Sequence, residues 1–84
     1  MNNDDILTIV KSIIVKVSPQ YAAVDIQPSD SLKDIGLNSI ERMEITMLVM
    51  EELDVDVPRI ELLGPKNISE LVSLLESKLE KAGV

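Results

Sequence analysis

The sequence predicts an all-α protein: a small bundle of three main helices plus one short helix. Apolar residues recur at three- and four-residue spacing in three stretches, and Pro, Gly and Asn stand between them. Composition agrees with this. Hydrophobic residues make up 45% of the 84 residues, yet the chain has one Tyr and no Trp or Phe. The core must therefore be built from Ile, Leu, Val and Met, which pack well between helices.

The first helix is expected to open at Asn2 and Asn3, whose side-chain oxygens suit a cap, with Asp4 and Asp5 favoured by the helix dipole. Ile6, Ile9, Val10, Ile13, Ile14 and Val17 give it one apolar face as far as about Val17. The β-branched run Ile13-Ile14-Val15 would permit a strand, but alternation with polar residues is missing. Ser18, Pro19 and Gln20 end the helix. A long connection covers about residues 18–38, punctuated by Pro19, Pro28 and Gly36. Val24, Ile26, Leu32, Ile35 and Leu37 are expected to pin it to the core, and Asp30 and Ser31 to open a short turn ending at Gly36.

The second helix spans about residues 39–53, capped by Asn38 or Ser39, with Glu41 in its first turn. Pro58 suits the first position of a short third helix through about Leu63, which Gly64 and Pro65 end. Asn67-Ile68-Ser69-Glu70 has the spacing of a capping box. The last helix then runs to about Lys81, with Ile68, Leu71, Val72, Leu74, Leu75 and Leu79 as its apolar set and Gly83 as its stop. Repeats, low-complexity tracts and linkers are absent from the sequence, so a single domain over residues 1–84 is expected.

The residue inventory limits the chemistry. There is no Cys for a thiolate or a zinc site, and no His for acid–base work near neutral pH. Asp54-Val55-Asp56 lacks the Gly and the terminal Glu of a calcium loop and reads as a solvated turn. No nucleophile, base and oxyanion donors can all be named, which argues against catalysis and for an imported reactive group. A net charge of -7 disfavours nucleic acid and anionic membranes and favours basic protein surfaces. The N-terminus has neither a basic segment ahead of an apolar one nor a spanning run, so a cytoplasmic monomer is expected.

Two features of the second helix stand out. Ile45, Val49 and Leu53, with Leu48 nearby, make a sufficient core stripe. Another side carries Ile40, Met43, Glu44, Met47 and Glu51, apolar residues mixed with acids. Either this is a partner-binding surface or the bundle wraps the helix on two sides. Ser39 sits where the loop meets the helix, at the positive end of the dipole, where an attached phosphate is favoured. Ser is a common helix cap, and position alone favours that plain role for Ser39.

The stretch Asp34-Ile35-Gly36-Leu37-Asn38-Ser39-Ile40 resembles the attachment motif of acyl carrier proteins, a Gly-hydrophobe-Asp-Ser-Leu segment. Val57-Pro58 resembles the Ile-Pro step before that family's short helix, and Asn67-Ile68 the Thr-Val start of its last helix. Asp30-Ser31-Leu32 is similar to the lead into the motif. The ordered set covers nearly the whole chain.

The resemblance implies an acyl-carrier-like fold and a carrier without catalytic activity of its own. It also implies that a phosphopantetheinyl transferase moves a phosphopantetheine arm from coenzyme A onto Ser39. Acyltransferase and ketosynthase partners are implied, meeting a surface formed by Asn38, Ile40, Glu41, Met43, Glu44, Met47 and Glu51, with Glu52 beside it. Ile45, Val49, Leu53 and Ile68 are expected to line space for a short acyl chain.

Departures from the family pattern refine the expectation. Asn38 replaces the usual Asp, Ile40 replaces Leu, Met50 stands where fatty-acid carriers have an acid, and Arg42 adds a positive charge. The runs Asn38-Ser39-Ile40-Glu41-Arg42 and Leu62-Leu63-Gly64-Pro65-Lys66-Asn67-Ile68 resemble small carriers of polyketide gene clusters. Some of those donate acetyl or malonyl units to a hydroxymethylglutaryl-synthase-type enzyme that installs β-branches. Fatty-acid carriers and peptidyl carriers, which usually show a second Gly at the motif, remain alternatives within the class. An unmodified acidic helical adaptor, with Ser39 only a cap, is the alternative from another class.

Overall fold

The computed structural model describes residues 2–82, and every element is helical: no strand occurs among the described residues. Helix α1 spans Asn3–Val17, with Asn2 as its cap, accepting from the Asp5 N–H at 2.9 Å. Ile6, Val10, Ile13 and Ile14 form its buried stripe. The Ser18 N–H donates to the Ile14 carbonyl at 2.8 Å and closes the helix.

Pro19 then opens a 3₁₀ turn, Pro19–Ala23, within the stretch expected to be an irregular connection. Proline's fixed φ and missing donor suit that first position. The turn places Tyr21, the chain's one aromatic residue, so that its hydroxyl donates to the Ile35 carbonyl at 2.7 Å.

The connection is pinned by Ile26 and Leu37, both buried, with Leu32 and Ile35 half-buried. Val24 departs from expectation and is 47% exposed. The Ile26 N–H bonds back to the Val24 carbonyl at 3.1 Å, a three-residue turn that sends the two side chains different ways. The carbonyls of Asp30 and Pro28 accept from the N–H groups of Ile68 and Ser69 at 2.9 and 2.8 Å, so the loop satisfies donors at the start of the last helix. A single turn over residues 32–36 follows, opened by the Ser31 hydroxyl accepting from the Asp34 N–H at 2.9 Å. Asp30 does not take part; its carboxylate bonds to the Gln27 N–H.

Helix α2 covers Ser39–Leu53, and Ile45, Val49 and Leu53 face the core. Asp54 ends it in the left-handed region at φ 54°. Helix α3 is one turn, Arg59–Leu62; Pro58 stands as its cap rather than its first residue, and Leu63 closes it. Helix α4 runs Ile68–Ala82, with Asn67 accepting from the Glu70 N–H at 2.8 Å. Its Ile68, Leu71, Val72 and Leu75 are buried, and Leu74 and Leu79 pack partly against the core. The stop expected at Gly83 lies outside the described residues. Helix α1 packs on both α2 and α4, and an ion pair of 2.8 Å from Lys78 to Glu61 fastens α3 to α4.

Gly36 is the tightest point. Its φ is 110°, and a Cβ there would lie 2.9 Å from the Tyr21 hydroxyl oxygen. Gly36→Ala is therefore expected to cost about 1–3 kcal/mol. At this chain length each kcal/mol lowers Tm by roughly 4–8 °C. Gly64→Ala, where the nearest atom is 3.4 Å away, is the control. Thermal unfolding followed by circular dichroism checks this; equal midpoints for the two variants would contradict it.

Candidate functional site

The cap at the start of α2 settles the position of Ser39. The Asn38 side chain accepts from the Glu41 N–H at 2.8 Å, and the Glu41 carboxylate accepts from the Asn38 N–H at 3.2 Å. Both halves of a capping box are present, and Asn38 is the cap. Ser39 is thus the first residue inside the helix, exposed, with its hydroxyl outside the cap. A phosphate joined there would sit at the positive end of the dipole beside backbone N–H groups of the first turn.

Glu41 does more than complete the box. Its second oxygen, Oε2, accepts from the Ser18 hydroxyl at 2.6 Å. Ser18 is 2% exposed and is the buried polar residue of the core region; its hydroxyl has the partner that burial requires. The bond from Ser18, and secondarily the Asn38 N–H, hold the Glu41 carboxyl below its ordinary value of 4.5. Of the expected recognition residues, Asn38 and Glu41 therefore have their polar groups engaged within the chain.

The others lie outward. Ile40 is 76% exposed, Met47 58% and Met43 47%, and Glu44 and Glu51 are exposed on the same helix. The bundle does not wrap α2 on two sides; the second stripe faces solvent. This side of α2 thus exposes apolar side chains rimmed by acids.

Beside Ser39 runs an open cleft of about 700 Å³ between α2, α3 and the segment leading into α2. Met43, Met47, Met50, Leu62 and Leu71 supply its apolar wall. Ser39 stands on the cleft's lining, so an arm joined there can lie along it; the residues present fit such a group. Ile68 lines the cleft as expected, but Ile45, Val49 and Leu53 do not. Those three are buried in the core on the other side of α2.

Sequence reasoning missed Ser18 and Tyr21 as supports of the site. Their contacts span 23 and 14 residues, and no local pattern announces them. It also missed the basic lining of the cleft: Lys33, Arg59 and Lys66 join Arg42 there only through the fold.

The Glu41 tie predicts a pH dependence. Because its folded value is lowered, the carboxylate's stabilising bonds are complete above 4.5 and are lost as pH falls through the lowered folded value. The stability difference between wild type and Glu41→Gln should hold above that pH and shrink below it. Urea unfolding across an acid series checks this, and a difference unchanged through the acid range would contradict it.

Residues 7–75 match the family model of the phosphopantetheine attachment site. The chain is 37% identical over 82 residues to the polyketide biosynthesis acyl-carrier-protein AcpK of Bacillus subtilis (strain 168), covering 98% of this chain and all of that one. It also superposes, with a TM-score of 0.86 and 42% identity, on a chain in the crystal structure of the curacin biosynthetic pathway HMG synthase in complex with acetyl donor-ACP. That match covers 93% of this chain and 100% of the other. With the four-helix order and a helix-opening serine beside a cleft, these matches place the chain in the acyl carrier protein family, whose members bear a phosphopantetheine attachment site.

Proposed function

We propose that Ser39 carries the phosphopantetheine arm, and that the protein supplies acetyl or malonyl units to an HMG-synthase-type enzyme in polyketide β-branching. The observation that carries the reading is the division of labour at the start of α2. Asn38 takes the cap, so the fold has no structural use for the Ser39 hydroxyl, which stands exposed on the cleft. An unmodified adaptor would have no use for that arrangement. When bound, the arm supplies a terminal thiol on which acyl groups are held as thioesters. The two relatives, one a carrier of polyketide biosynthesis and the other seen in complex with an HMG synthase, support the pathway and the partner.

The residues of this chain hold, orient and present. Glu41 and Asn38 fix the first turn of α2 and thereby the direction in which Ser39 projects. Ile40, Met43 and Met47, with Glu44 and Glu51, form the face for a transferase, an acyltransferase and the synthase. Chemistry on the acyl group belongs to those enzymes, and the chain works as a single-domain, monomeric cytoplasmic carrier.

Two measurements follow. Acetyl-loaded protein mixed with an HMG-synthase-type enzyme should lose its acetyl group, read by intact mass. Retention there, with loss to fatty-acid or peptide-pathway enzymes instead, would move the protein to another pathway. Glu44→Lys with Glu51→Lys should slow association with the transferase, most clearly at low salt, while helicity is unchanged. An unaltered association rate would remove those acids from the recognition face.

A further inference from the structure

The charges of this chain are sorted by the fold. Lys33, Arg42, Arg59 and Lys66, four of the eight basic residues, line the cleft beside Ser39, whereas Asp34 alone of the fifteen acids does. The ion pair among the described residues, Lys78 with Glu61, involves none of these four. On a chain of net charge -7, this cleft carries four cations against one acid. Arg59 is placed most tellingly. Its guanidinium donates to the Met43 sulfur at 3.4 Å, so it lies against the apolar stripe one turn along α2 from Ser39.

We infer that the cleft selects acyl groups that end in a carboxylate, with Arg59 and Lys66 receiving that carboxylate. The inference rests on Ser39 carrying the arm. An apolar wall favours any short acyl chain by burial. A neutral chain, however, gains nothing from cations and would force them to lose water. A terminal carboxylate does gain, because the apolar wall lowers the local dielectric and strengthens attraction to the rim.

The arm's own phosphodiester is the other anion within reach. The N–H groups of Ser39 and Ile40, which the capping box leaves open, would serve it at the start of α2, whereas Arg59 and Lys66 sit on α3 and the loop before α4, across the cleft. Malonyl is thus the form that the cleft holds, and acetyl the form that it releases.

The test loads the protein, through a transferase, from coenzyme A, malonyl-coenzyme A and acetoacetyl-coenzyme A, the last being an uncharged isostere of malonyl. Amide and Met methyl NMR signals are compared across the apo, holo and loaded forms. The malonyl form should shift Arg59, Lys66, Met43 and Met47 beyond the holo form, and the acetoacetyl form should not. Relative to the same pair as free coenzyme A thioesters, the malonyl thioester should also be cleaved by added thiol about threefold more slowly than the acetoacetyl one, the scale of one partly solvated ion pair. Raised salt, or Arg59→Gln with Lys66→Gln, should abolish that difference.

Equal shifts for malonyl and acetoacetyl would overturn the inference and leave a plain apolar cleft. Shifts complete on going from apo to holo would assign the cations to the phosphodiester and overturn it equally. Failure of the arm to add at all, seen by mass before any spectrum, would instead overturn the role of Ser39.

Discussion

Both oxygens of the Glu41 carboxylate are held, one by the buried Ser18 hydroxyl at the end of α1 and one by the Asn38 N–H at the start of α2. Two helices that are otherwise joined by about twenty residues of loop are thus tied end to end beside Ser39. Bonds to an ionised acceptor are stronger than neutral ones, and burial of Ser18 leaves its hydroxyl no water to turn to. The loop between the helices is fixed by parallel means. Tyr21 holds the Ile35 carbonyl, Gly36 makes room for Tyr21, and Pro28 and Asp30 feed their carbonyls to the start of α4. A residue placed by a loop alone would wander; Ser39 is placed by three helices.

The aliphatic core explains how the rest of α2 becomes available. Ile45, Val49 and Leu53 are enough to bury one side of the helix in the core, where it packs on α1. The remaining two sides diverge in charge. Glu44, Glu51 and Ile40 are exposed on one, the other faces a cleft edged by Lys and Arg, and Met43 and Met47 stand at the boundary between them. An 84-residue chain of net charge -7 thereby keeps a cleft lined by four cations beside an acidic helix face.

Local patterns made most of this legible. The periodicity of Ile6 through Val17 and of Ile68 through Leu79, and the punctuation by Pro58, Gly64 and Pro65, marked the elements to within a residue or so. The family, and the start of α2 at Ser39, were legible because a short motif and its ordered neighbours share a spacing with that family. Three things were not. Val24 was expected inside because it is apolar, and a three-residue turn with Ile26 puts it outside. The choice between Asn38 and Ser39 as cap depends on one backbone residue's conformation, which composition does not encode. The cleft and its cations depend on how α3 lies across α2, a tertiary fact. Of Ile45, Val49, Leu53 and Ile68, the residues expected to line space for an acyl group, Ile68 alone lines this cleft.

The central claim is that the hydroxyl of Ser39 receives the arm. Incubation with coenzyme A and a broad-specificity phosphopantetheinyl transferase, followed by intact mass, tests it directly, with Ser39→Ala alongside. The account predicts that wild type gains one phosphopantetheine and that the variant, folded and equally helical, gains none. Modification of the variant, or no gain by folded wild type with more than one transferase, would contradict it.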